Sequence, residues 1–269
     1  MDTIAIAIII VILIIAGFLI GTISSIAGIG GGAFYIIIMM ILLVIPIDGA
    51  RDTSAFIILL FSGVGLISYL RQGKVDIKLS LLFAGFALLG GIASTILLLV
   101  FPMDNSILKI VIASVVLVSG LNMIRKSLKS FKISRINGKD FELDFSYETF
   151  NYKHNLIKGF PLFFIAGFVA YLTGIGGGML FVPILSILFG IPIHYATAMS
   201  TAIIFFNGIY NATVRIFIGD IFYLTGILIA IGAIMGSLFG TKLSGKMPKS
   251  YLQFFVSIIL IGLAIRMYF

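Results

Sequence analysis

Gly28-Ile29-Gly30-Gly31-Gly32 and Gly174-Ile175-Gly176-Gly177-Gly178 are the same five residues, 146 positions apart. The offset holds without a gap. Gly21 falls on Gly167, Pro46-Ile47 on Pro192-Ile193, Ser54 on Ser200, Gly90 on Gly236 and Thr95 on Thr241. Between positions 21 and 54, 14 of 34 residues match their counterparts, so the chain is a duplication with two homologous halves. Each glycine cluster interrupts an apolar run. A glycine in a helix interior costs about 1 kcal/mol relative to alanine. Four in five residues therefore mark a break where helix gives way to open backbone.

Composition places the chain in a bilayer. Hydrophobic residues make up 61% of it and charged residues 10%, against about 25% charged in a soluble domain. Residues 4–23, 77–101 and 107–124 are apolar runs near the roughly 20 residues that a spanning helix needs. The N-terminus lacks the basic leader of a secretory signal and carries Asp2. With no cysteine, disulfides and thiolate metal sites are excluded. The net charge of +8 needs no nucleic acid, because the basic residues gather in loops, where the positive-inside rule puts them.

The expected fold is an all-α polytopic membrane protein. Residues 1–124 form a first transmembrane repeat, 125–158 a cytoplasmic linker and 159–269 a second repeat. Residues 46–49 and 192–195 are expected as loops. In the linker, Asn137-Gly138 lies between alternating stretches at 131–136 and 141–147, the pattern of a β-hairpin; a disordered linker is the alternative. Charge bias is swapped between equivalent loops. Arg71, Lys74 and Lys78 in the first half face only Asp220 in the second, whereas Asp104 corresponds to a stretch near Lys242, Lys246 and Lys249. Equivalent loops then lie on opposite sides of the membrane, which describes inverted repeats. Four plain spans per half, arranged in parallel, are the competing picture.

The glycine breaks also carry the candidate chemistry. The first N–H groups of a helix lack intrahelical partners and bear the positive end of its dipole. Gly30, Gly31 and Gly32, and Gly176, Gly177 and Gly178, immediately precede expected helix starts. Two amide-lined breaks related by the repeat make a substrate site for a small anion; tight helix packing is the bland alternative. Ser54, Ser200 and Asn207 add neutral donors, although buried hydroxyls and amides more commonly bridge helices. Arg51, Asp52, Lys109, Arg215 and Arg266 fall close to span ends, where snorkelling to the interface explains them. Arg215 is the candidate anion-attracting charge at a vestibule. Catalytic constellations, nucleotide-binding motifs, metal-ligand spacings and cofactor signatures are absent from the sequence, so no enzyme activity is expected.

At the doubled cluster the chain resembles the sulfite exporter TauE/SafE family of membrane permeases. The matching residues are Gly21 and Gly28–Gly32, Gly167 and Gly174–Gly178, Phe181-Val182-Pro183, residues 196–201 and Asn207. The first half departs from the pattern at Ile37 and at Arg51-Asp52. The resemblance implies a permease for sulfite, a sulfonate or a related organic anion in the cell membrane. It leaves the coupling ion open between H+ and Na+, and the oligomeric state open too. A membrane scaffold or assembly factor is the rival reading.

The swapped charge bias yields a direct test. Single cysteines replacing Lys74 and Asp220 should react with an impermeant thiol reagent from opposite faces of the membrane. Labelling of both from one face would rule out the inverted arrangement.

Overall fold

A computed structural model describes residues 3–101, 104–137 and 155–244, and residues 254, 257–258, 261–262 and 264–265 near the C-terminus. The described chain is helical throughout, without strands. Its elements are α1 (Thr3–Ala27), α2 (Gly32–Leu42), α3 (Ile47–Arg71), α4 (Ile77–Val100), α5 (Asn105–Asn137), α6 (Leu156–Thr173), α7 (Gly178–Pro183), α8 (Ile193–Ile218) and α9 (Tyr223–Leu243). A π-helical turn, Ile184–Leu188, continues α7. Among the described residues, seven helices are long and apolar enough to cross a membrane. Gly32–Leu42 and Gly178–Leu188 are not. Eleven residues rise only about 16 Å, half of a bilayer's hydrocarbon core.

Two expectations are corrected here. Residues 46–49 and 192–195 are not loops. Pro46 and Pro192 cap helices that start at the next residue, with ψ near 150 and 144. Proline tolerates that position because it has no N–H to leave unpaired. Arg51 and Asp52 consequently lie inside α3. Residues 131–136 are not a hairpin strand either, since α5 runs through them to Asn137. Their short alternation does not overcome a helix already propagating from residue 105, in which each added residue gains a bond. The second expected strand, at 141–147, lies outside the described residues.

Interlocking of the halves follows from small residues. α1 packs along α9, and α6 along α4. A Cβ on Gly21 would run into the backbone of Ala233, and one on Gly167 into that of Ala87. These are equivalent contacts under the 146-residue offset. Gly236 against Phe18 and Gly90 against Phe164 form a second equivalent pair. In lipid no hydrophobic effect drives such helices together, so close backbone approach has to supply the attraction. The outward face of α1, with Ile8, Val11, Ile15 and Leu19 exposed, is apolar as a lipid-facing surface requires.

α3 and α8 occupy the centre and run antiparallel. Asp52, near the start of α3, meets Arg215 near the end of α8. Gly65, later in α3, faces Thr201 near the start of α8. Aromatic stacking closes the α4–α6 side, with Phe83 and Phe163 ring centroids 4.6 Å apart.

Gly236→Leu should prevent α1 from seating on α9. Size-exclusion profiles of the detergent-solubilised variant should show loss of the monodisperse species. Gly85→Ala, which meets nothing within 4 Å, should behave as the parent.

Candidate functional site

The breaks have the same backbone in both halves. Gly28, Gly30 and Gly31 have φ of 71, 86 and 72, and Gly174, Gly176 and Gly177 have 69, 88 and 76. Only glycine enters this left-handed region without penalty, which explains why the cluster repeats residue for residue. Bonds onto the break begin at Tyr35 N–H to Gly31 O in one half. Leu180 and Phe181 N–H to Gly177 O begin them in the other.

The two breaks lie against each other. A Cβ on Gly32 would stand 2.6 Å from the carbonyl oxygens of Gly174 and Ile175, and one on Gly178 would collide with Gly28 O. Ser54 Oγ donates to Gly174 O at 2.8 Å, and Ser200 Oγ donates to Gly28 O at 2.9 Å. Each serine thus fastens its own half's central helix to the other half's break. The structure brings all six glycines and both serines to one place. Their contact is direct, and open space lies beside it.

That space is a narrow, partly open cleft between α3, α4, α6 and α8, whose free volume of about 20 Å³ is room for about one water. Of the expected site residues, Gly176 and Asn207 line it. Its floor is apolar, with Ala55, Ile58, Phe181 and Ile204, and its polar wall is Tyr171, Asn207, Tyr210 and Asn211. Tyr210 Oη shares a hydrogen bond with Thr95 Oγ1 at 2.8 Å, and Asn207 Nδ2 donates to Ile203 O at 3.0 Å. Asn211 Oδ1 is buried without a hydrogen-bond partner among the described residues, while Tyr171 Oη lies beside the Thr95 hydroxyl. A buried polar atom left unpaired costs about 1–3 kcal/mol, so Asn211 is ready to bind something polar in the cleft.

Behind the wall sits a buried charge cluster. Asp52 Oδ1 accepts from Arg51 Nε at 2.9 Å and from an Arg215 guanidinium nitrogen at 3.2 Å. Its other oxygen accepts the Asp220 N–H at 3.2 Å. Arg215 also donates to Tyr171 O at 3.4 Å and stacks over the Tyr171 ring, its Cζ 4.6 Å from the centroid. Arg51 lays its side chain along Gly174 at the second break. Two guanidinium groups share one carboxylate, which leaves an excess positive charge inside the protein. Arg51, Asp52 and Arg215 are 8%, 3% and 5% exposed. Snorkelling therefore explains none of the three, and Arg215 is no open vestibule charge. Proximity to a span end misled because α3 and α8 pair antiparallel, so the start of one shields the end of the other.

Tyr171 and Tyr210 complete the wall beside Asn211, and neither tyrosine was expected there. Asn207, Asn211 and Arg215 recur every four residues, which places them on one face of α8. That spacing was the available signal.

Seven helices long and apolar enough to span a bilayer, with two broken helices meeting among them, describe a multi-pass membrane protein. The family model described as sulfite exporter TauE/SafE matches residues 13–267, and the chain belongs to that family. It is 24% identical over 258 residues to a probable membrane transporter protein, YunE, of Bacillus subtilis, covering 93% of this chain and 94% of that one. It is 27% identical over 272 residues to a probable membrane transporter protein, MJ0441, of Methanocaldococcus jannaschii, covering 93% and 91%. A probable membrane transporter protein, ORF9, of Sinorhizobium sp is 26% identical over 257 residues, covering 95% and 90%. No solved structure matches the chain. Family and relatives alike are membrane transporters, not enzymes.

Asp52 is the keystone of the cluster. Asp52→Asn should leave two buried guanidinium groups without a counter-charge, a loss on the order of 3–5 kcal/mol when one partner of a buried pair is removed. Thermal melts in detergent should show a drop of many degrees. Arg51→Gln, which keeps one arginine per carboxylate, should cost far less.

Proposed function

We propose that the chain is a secondary transporter that moves a small anion across the cell membrane by alternating access, with sulfite, a sulfonate or a related organic anion as substrate. The observation that carries this reading is the ratio of two arginines to one aspartate, buried beside the cavity and the second glycine break. A full charge inside a bilayer is expensive, and a protein that keeps an unmatched one there gains most from an anionic ligand. Tyr171 links the two places, since its ring carries Arg215 and it lines the cavity. An anion in the cleft would meet the Tyr171 hydroxyl first and the positive field of Arg215 and Arg51 behind it.

Gly30, Gly31, Gly32, Gly176, Gly177 and Gly178 contribute the positive ends of two short helices to the same region. Ser54 and Ser200 hold those ends together in this conformation, and Asn207 faces the ligand. The antiparallel course of α3 and α8 supports an inverted relation between residues 1–124 and 159–269, with the 125–158 linker in the cytoplasm. Two halves that clasp each other through equivalent contacts can exchange tighter and looser packing, which is what alternating access asks of repeats.

Proteoliposome flux measured over sulfite, small sulfonates and small carboxylates tests the reading. Saturable flux of at least one is expected. Arg215→Gln and Arg51→Gln should each lower flux at sub-saturating substrate roughly tenfold or more, the worth of one interaction with a charged group. Folded protein that moves no small anion would favour a membrane scaffold instead.

A further inference from the structure

The two breaks share a backbone but differ in side chains, and the differences all run one way. At the second break stand Arg51 against Gly174, Arg215 donating to Tyr171 O, and Ala170 and Phe181 against Gly177. The 146-residue offset gives their counterparts at the first break. Thr197 stands against Gly28, Tyr69 Oη donates to Ser25 O at 2.7 Å, and Ser24 and Tyr35 pack against Gly31. Both arginines are replaced by neutral hydroxyl side chains, Asp52 is replaced by Ala198, and each of the two apolar side chains gains one hydroxyl.

Ser24 and Tyr35 are the informative pair. Serine differs from alanine, and tyrosine from phenylalanine, by one oxygen. Ala170 and Phe181 demonstrate that this backbone closes without those oxygens. Yet Ser24 Oγ and Tyr35 Oη are present, 1% and 0% exposed by residue, and neither has a hydrogen-bond partner among the described residues. Ser24 Oγ and the Tyr35 ring approach the same point. A Cβ on Gly31 would lie 2.7 Å from Ser24 Oγ and 3.1 Å from Tyr35 Cζ. Two buried, unpaired hydroxyls that packing does not require indicate a ligand.

We propose that the first break is a binding site for a monovalent cation, Na+, which acts as coupling ion for the anion at the second break; the coupling rests on the transport reading above. Helix ends are common to both breaks and decide nothing between cation and anion. The side chains decide. Arginines crowd the second break, whereas the first offers only neutral oxygens, the hard ligands that such ions take. Ser24 lies in the last turn of α1, at the negative end of the helix dipole. Unwound backbone at a half-helix end is a setting in which transporters bind Na+. The two ions would neutralise each other across the contact between Gly32 and Gly174. Loading one would favour loading the other, as linkage requires.

Cation binding can be measured without any substrate. Purified protein is melted in NaCl and in choline chloride at equal ionic strength, and equilibrium 22Na+ binding is recorded alongside. NaCl should raise the melting temperature by several degrees, with saturable 22Na+ binding. The Ser24→Ala/Tyr35→Phe double variant copies the second half's residues, so it should fold and lose both signals. Ser24→Ala and Tyr35→Phe, made singly, should each weaken 22Na+ binding at least tenfold. Arg51→Gln should keep it. Equal melting in the two salts, with no saturable 22Na+ binding, would overturn the site and leave water as its occupant. A shift that survives in the double variant would also overturn it. In proteoliposomes an imposed Na+ gradient should drive the anion. Na+ binding without any anion flux would sustain the site and refute the transport reading instead.

Discussion

Everything at the centre of this molecule depends on one main-chain contact. The break in the first half presses its backbone against the break in the second, at a separation that admits no Cβ on Gly32 or Gly178. Backbone that has left the helix cannot face lipid, because its polar groups would go unsatisfied there. It must be buried in protein or border a cavity, and each break satisfies this with the other. Ser54 and Ser200 complete the arrangement by donating across it to carbonyls that the breaks expose. The short helices α2 and α7, too short to span, are held at depth by the same contact. Loss of it would release the cavity wall, the charge cluster and the central helix pair together.

The second organising constraint is charge. An Arg–Asp–Arg group with one carboxylate is a costly object inside a membrane protein. Its geometry limits the cost. Asp52 is saturated by two guanidinium groups and a main-chain N–H, while Arg215 spreads its charge over the Tyr171 ring. What remains is the positive excess, placed next to a cleft whose own polar wall holds the unpaired Asn211 oxygen. The duplication makes this legible as specialisation. The other half carries Thr197, Ala198 and Tyr69 at the corresponding positions. One ancestral frame has been charged on one side and left neutral on the other.

Much of the fold could be read from residues alone. The 146-residue offset, the helical breaks and the apolar spans follow from glycine's backbone freedom and from simple counting. Seven of the spans are found among the described helices. The glycine and serine positions were also identifiable, because they repeat. Charges were harder. Arg51, Asp52 and Arg215 lie near span ends in sequence, and nothing local indicates that the end of α8 folds over the start of α3. Likewise, Tyr171 looks like any aromatic in an apolar helix until α4 and α8 are set beside it. The expected strand at 131–136 failed for a different reason. Its alternation is genuine, but α5 arrives there already formed. Sequence patterns report what a segment would do alone, and these misreadings occur where a distant segment or a preceding helix decides.

The pairing of α1 with α9 has a consequence for biosynthesis. Ser25 and Ser237, hydrogen-bonded across that interface, are 212 residues apart. At about 5–20 residues per second of translation, α1 waits on the order of ten to forty seconds before its partner leaves the ribosome. During that interval its Gly17 and Gly21 face has no helix to close against. α6 is spared the wait, since α4 precedes it. The nascent chain therefore completes its interior from the middle outward, and its first helix is among the last to be locked in place.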